Sequence, residues 1–165
     1  MIFKKAEEKD IIEALYLINH AIESSLTSRD EWKPPIPDFT ALKNEVDQER
    51  LYIFRNKNIT IGTFSFTDDK PESFSKVEWN KKNDKTLYIT RLIISPNWLN
   101  KENGKQIIKH IEEFAKQNGY SSMKLNIKSN NTLMNNFYKE IGFDFRGDLL
   151  YPEQQTPYYF YEKNL

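Results

Sequence analysis

The chain contains no cysteine. That absence excludes disulfides, thiolate metal ligands and any covalent acyl intermediate carried on a cysteine. Glycine is also scarce, with five in 165 residues, and none of them sits in a Walker loop or a dinucleotide fingerprint. The two histidines, His20 and His110, have no partner at ligand spacing, so no metal site is expected. No apolar run approaches the length that crosses a bilayer, and Met1 to Asp10 lacks the apolar centre of a signal peptide. A cytoplasmic protein with no membrane partner is the expectation. Charge of one sign is missing too: 24 basic residues face 24 acidic ones, so the chain lacks the electrostatic footprint of a nucleic-acid binder.

Hydrophobic residues make up only 38% of the chain, but 14% are aromatic, and each buried ring removes a large apolar area from water. The length suits a single domain over residues 1–165. Ile2-Phe3-Lys4 reads as a short strand. Asp10 reads as the N-cap of a helix carrying Ile11, Leu15, Ile18 and Ile22 at helical spacing. Thr27 to Pro37 has loop chemistry, and Thr40 to Glu49 a short helix with Leu42 and Val46 on one side. Leu51–Arg55 and Ile59–Phe66 read as strands joined by a turn at Asn56-Lys57-Asn58. Asp68 to Asp84 reads as a long polar connection with a strand fragment near Lys76–Trp79.

From Thr86 the pattern sharpens. Thr86–Ser95 is apolar on both faces, as in a strand buried on both sides, and Pro96 closes it. A helix is expected from Gly104 to Asn118, with Ile107, Ile108, Ile111, Phe114 and Ala115 on one stripe and Gly119 as its left-handed stop. Met123, Leu125 and Ile127 alternate with Lys124, Asn126 and Lys128, which predicts a strand with one solvated face. The next helix carries Leu133, Met134, Phe137, Tyr138 and Ile141 as its apolar stripe and ends at Gly142. Phe143–Gly147 and Pro157–Glu162 close the chain as strands. The sum is an α/β (α+β) fold: a mixed sheet with helices on both faces.

Two pieces bear on chemistry. The turn Asn97 to Gly104, between a strand and a helix start, offers backbone amides and a helix dipole to an anion such as a diphosphate, with Lys101 and Lys105 to add charge. The plainer alternative is a strand-to-helix turn that binds nothing. The second piece is Asn131, with Tyr138 seven residues on and Gly142-Phe143 closing the helix. Asn131 can simply cap the helix, and Tyr138 can simply be a core tyrosine.

Taken together, the order of elements and the run Asn131…Tyr138…Gly142-Phe143 resemble the GCN5-related N-acetyltransferase (GNAT) family. Around its first core helix the family has Gln or Arg, two residues, Gly, one residue, then Gly or Ala. Here Gly104 matches the last position, while Leu99 and Glu102 stand where Gln or Arg and the first Gly are expected. The resemblance implies a GNAT-like, mostly antiparallel sheet and acetyl-CoA as co-substrate. It would place the pantetheine arm along Leu92, Ile93 and Ile94 and the phosphates at Asn103, Gly104 and Lys105 beside Lys101, with Asn131 and Phe137 also in the cofactor site. A strand amide near Ile93 would polarise the thioester carbonyl, an amine would attack directly, and Tyr138 would protonate the departing thiolate.

The acceptor implied is an amine, on a small molecule or a protein. Thr86–Ser95 holds no acid, so Glu78, Asp30, Glu31, Glu162 or a water chain remain open as the base. Trp32, beside Asp30 and Glu31, could line an amine pocket or pack over an edge. The second reading is a domain of the same fold that binds a ligand or partner without catalysis. The aromatic strand Tyr158–Tyr161 is a candidate for pairing across a homodimer.

Overall fold

A computed structural model describes residues 1–23, 37–80, 85–152 and 154–165, apart from the side chain of Ile22. Its strands are β1 (Ile2–Lys5), β2 (Leu51–Asn56), β3 (Ile59–Thr67), β4 (Thr86–Ile94), β5 (Ser122–Lys128), β6 (Asp144–Leu149) and β7 (Tyr158–Asn164). Its α-helices are α1 (Ile11–Glu23), α2 (Phe39–Asp47), α3 (Lys101–Gln117) and α4 (Thr132–Glu140). The strands form one seven-stranded sheet in the order β1-β2-β3-β4-β5-β7-β6. It is mixed and mostly antiparallel, as expected: β1–β2, β2–β3, β5–β7 and β6–β7 run antiparallel, while β4–β5 is parallel. Contacts divide the chain into two units, Met1–Phe66 with Thr90–Ile107, and Thr67–Ile89 with Ile108–Leu165. Each is described by itself.

In the first unit, Ile11, Ala14, Leu17 and Ile18 of α1 and Leu42 of α2 pack on Leu51, Ile53 and Ile93 from the sheet. Alternation puts Tyr52 and Phe54 on the opposite face of β2, where both stack with Phe3 and Tyr52 leans against Phe64. Full burial of residues such as Ile11, Ile18 and Phe54 stabilises the unit by about 2 kcal/mol each. The β2–β3 turn is tighter than expected: Asn56 pairs with Ile59, leaving Lys57-Asn58 as the loop, with Lys57 at φ 52°. Asp10 does not cap α1. It ends a 3-10 turn (Glu8–Asp10), is 1% exposed, and accepts the Glu7 amide at 2.9 Å along with Lys4 and Arg55. Asp38 accepts the Ala41 amide at 2.8 Å and caps the start of α2.

In the second unit, the expected strand fragment near Lys76–Trp79 is a 3-10 turn (Glu72–Lys76) instead. Its Phe74 joins Trp79, Tyr88 and Phe160 in a buried cluster. A further correction lies on β5. Lys124 and Lys128 of β5 do not line a solvated face; they are 2% and 5% exposed. Lys124 stands 4.7 Å from the centre of the Trp79 ring and pairs with Glu162 at 3.4 Å. Leu133, expected on the apolar stripe of α4, is exposed, and Asn135 is buried on that helix. Strand β7 lies between β5 and β6 and forms ladders with both. Both backbone edges of Tyr158–Tyr161 are therefore taken, and the strand cannot pair across a homodimer.

Candidate functional site

Strand β4 is buried on both faces only in its first half. Leu87, Tyr88 and Ile89 are buried, whereas Thr90 is exposed and Arg91, Leu92 and Ile94 are partly so. Its ladder with β5 is confined to Thr86–Tyr88, opposite Ser122–Lys124. Backbone groups farther along β4 take no ladder bonds from β5 among the described residues. Ile93 points its side chain into the α1/α2 core. Its carbonyl comes so close to Gly62 of β3 that a Cβ there would meet the oxygen at 3.1 Å. A side chain at residue 62 would force the two strands to give by a few tenths of an ångström. The amide of Ser95 then donates to Ile61 O at 2.8 Å and ends the strand.

Arg91 fixes this second half of β4. Its Nη2 donates to Ser65 Oγ at 2.7 Å and to Glu45 of α2, and Ser65 Oγ donates to the same Glu45 oxygen at 2.7 Å. Sequence reasoning missed this trio, because an arginine inside an apolar strand gives no sign of partners on α2 and β3.

After β4, Pro96–Trp98 makes a 3-10 turn, and α3 begins at Lys101 rather than at Gly104. The start is set by Asn100. Its side chain accepts the Asn103 amide at 2.9 Å and its carbonyl accepts the Gly104 amide at 3.0 Å. Asn103 folds back so that its side-chain amide donates to Trp98 O at 2.8 Å. Gly104 is thus a buried residue of the first turn, while Lys101, Glu102 and Lys105 are exposed around it. An asparagine just before an amphipathic run was the available signal for this cap.

The second unit holds the other expected residues. Asn131 caps α4 as expected, accepting the Met134 amide at 3.2 Å. Phe137 is partly buried. Tyr138 is 4% exposed, its ring 5.3 Å from Phe143 in an edge contact and 6.4 Å from Tyr161. Among the described residues its hydroxyl makes no hydrogen bond, and burial pushes its pKa well above the ordinary tyrosine value. It is therefore a protonated donor at any working pH.

Among the bases left open, Glu162 is 1% exposed and engaged by Lys124, by Arg146 at 3.5 Å and by the Asn80 amide at 2.9 Å. It serves as a buried counter-ion, not a free proton acceptor. Glu78 is exposed. Asp30, Glu31 and Trp32 lie outside the described residues.

Among the described residues no helix is long and apolar enough to cross a membrane. No curated protein matches the sequence. Solved structures do match the fold. A GNAT-family acetyltransferase from Streptococcus agalactiae superposes with a TM-score of 0.84 at 15% identity, over 99% of this chain and 95% of that one. One from Listeria monocytogenes gives 0.79 at 17% identity, over 99% and 94%. The YncA protein of Salmonella typhimurium, whose structure holds its cofactor acetyl-CoA, gives 0.71 at 16% identity, over 99% and 93%. The sequence model of the acetyltransferase (GNAT) family matches residues 13–143. The chain belongs to that family of acetyl-CoA-dependent N-acetyltransferases.

Proposed function

We propose that this N-acetyltransferase holds acetyl-CoA along the second half of β4 and at the start of α3, and acetylates a primary amine, on a small molecule or a protein, by direct attack. The observation that carries this reading is the short β4–β5 ladder, which ends at Tyr88 and leaves the backbone of Leu92, Ile93 and Ile94 without β5 as a partner. Buried or half-buried backbone amides and carbonyls need partners, and a pantetheine arm, which is built of amides, is a fitting one. Lys101 and Lys105 give the α3 start positive charge for a phosphate, and Asn103 and Gly104 shape the turn beneath it. The Asn103 and Gly104 amides are themselves used by Asn100, so charge and the helix dipole are assigned the larger share of phosphate binding.

Acetyl-CoA supplies the activated acetyl group and a thiolate leaving group. A strand amide near Ile93 is assigned to the thioester oxygen, where a fixed donor lowers the cost of developing negative charge. Tyr138 is assigned as the acid. Its hydroxyl faces the task of protonating the departing sulfur, a transfer that burial opposes because it disfavours the tyrosinate left behind.

The test is release of CoA thiol from acetyl-CoA, with a panel of primary amines and with hydroxylamine, which is largely uncharged at neutral pH and needs no enzymic base. Tyr138→Phe is expected to lower kcat about 100-fold with little change in KM for acetyl-CoA. Unchanged kcat in the variant removes Tyr138 from the chemistry. Calorimetric titration with acetyl-CoA, repeated on Gly104→Glu, locates the phosphates: equal affinity in the two proteins rules out the α3 start.

A further inference from the structure

We infer that Asn135 and Tyr161 together are positioning residues for Tyr138, a role that rests on the reading of Tyr138 as the acid. A hydroxyl that makes no hydrogen bond is aimed only by the walls around its ring. For Tyr138 those walls are Phe137, its neighbour on α4, Phe143, which follows shortly after α4, and Tyr161, which stands on β7. Phe137 is placed by the helix itself. Phe143 is placed by its own chain, with its amide on Tyr138 O at 3.0 Å. Tyr161 must be placed by something else.

That something is Asn135, one helical turn before Tyr138 on the same face of α4. Asn135 is 4% exposed and Tyr161 fully buried. The side-chain amide of Asn135 donates to Lys128 O at 2.9 Å and to Asn131 O at 2.8 Å, with Ser129 O at 3.3 Å. With its nitrogen committed to carbonyls, its Oδ1 must face the other way, and it accepts the Tyr161 hydroxyl at 2.8 Å. One buried side chain thus ties the start of α4, the end of β5 and the tip of the Tyr161 ring into a single register. Burial holds the Tyr161 hydroxyl in its protonated, donating form. Sliding Tyr161 would strand Oδ1 in an apolar interior, so the wall beside Tyr138 resists movement.

In the reaction the amine nitrogen bonds to the acetyl carbon, the carbon–sulfur bond breaks, and the sulfur takes its proton from Tyr138 Oη. The amine's extra proton passes to solvent, from which the tyrosine is reprotonated. Alignment of Oη with the sulfur is what Tyr161 and Asn135 control.

The experiment is a double-mutant cycle read by hydroxylamine-dependent CoA release from acetyl-CoA, well below each variant's melting temperature. Tyr161→Phe keeps the ring and removes the hydroxyl; Asn135→Ser is the second variant and serves if the first does not fold. In the wild-type background either should lower kcat about tenfold, with KM for acetyl-CoA held within about twofold. In the Tyr138→Phe background the same changes should alter kcat less than about twofold. Equal losses in both backgrounds mean a merely structural role and overturn the inference, as does a wild-type kcat in Tyr161→Phe. If Tyr138→Phe slows turnover and Tyr161→Phe does not, only the positioning role fails. If Tyr138→Phe, or the wild type itself, shows no catalytic effect, the acid assignment fails and this inference falls with it.

Discussion

Asn100 closes the first turn of α3 onto Asn103, accepting its amide at 2.9 Å through Oδ1. The same residue's carbonyl takes Gly104 N at 3.0 Å. One side chain therefore decides where the helix starts and which amides remain for a ligand. Asn100→Ala should cost about 1 kcal/mol of stability, read as a shift in the urea midpoint. It should also weaken acetyl-CoA binding through fraying of the turn, whereas Asn100→Asp should preserve the cap. A variant that loses stability but binds acetyl-CoA as the wild type does would show that the phosphates do not rest there.

Glu102 is exposed in the first turn of α3, where a carboxylate favours the helix dipole but repels a phosphate. The two effects have opposite signs and can be read separately. Glu102→Gln should tighten acetyl-CoA binding about fivefold while leaving the melting temperature the same or slightly lower. Tighter binding that disappears at high salt would identify the gain as electrostatic. An unchanged dissociation constant would mean that the phosphates sit beyond the reach of residue 102.

Lys124 and Glu162, both almost fully buried, form a pair whose members do not depend on each other equally. Glu162 keeps Arg146 and the Asn80 amide if Lys124 is removed. Lys124 keeps its place over the Trp79 ring if Glu162 is neutralised. Glu162→Gln should therefore destabilise by about 3–5 kcal/mol, because it neutralises the buried carboxylate that Lys124, Arg146 and the Asn80 amide share. Lys124→Met, which fills similar volume, should cost clearly less. Chemical denaturation of both variants checks the order, and the reverse order would deny that the carboxylate is the centre of the network.

Periodicity made α1, α3 and the alternation of β5 legible, and punctuation made their ends legible. Gly119 adopts φ 75° and lets the Tyr120 amide reach Ala115 O at 2.9 Å, the helix stop that a glycine after an apolar stripe predicts. Asn131 was readable as a cap for the same local reason. Misreadings arose wherever a polar residue was assigned to solvent. Lys124 and Lys128 look like the wet face of a strand, yet both are buried, Lys124 beneath Trp79 from a segment with no period. Asn135 looks like a surface helix residue, and its burial is visible only once Tyr161 arrives from β7. Gly104 suggests an α3 start three residues later than the one that the Asn100 cap sets. Local signals survive in one sequence; pairings between distant segments do not.

Asp10 supplies a prediction in which pH is the variable. Burial alone would raise its pKa. The Glu7 amide, the Lys4 hydrogen bond and the charges of Lys4 and Arg55 more than offset this and hold the carboxyl below the usual range. A carboxylate lowered in the folded state contributes stability above its unfolded pKa, about 3.9, and loses that contribution as pH falls through the folded value. Asp10→Asn should thus cost about 2 kcal/mol near neutral pH, because Arg55 retains Glu13 and the asparagine oxygen can still accept the Glu7 amide. At about pH 3 the gap between variant and wild type should have narrowed, since protonation begins to remove in the wild type what the substitution removed outright. Urea titrations of both proteins across this range measure the gap directly. A gap that stays constant with pH would mean that the loss comes from packing around residue 10 and not from its charge.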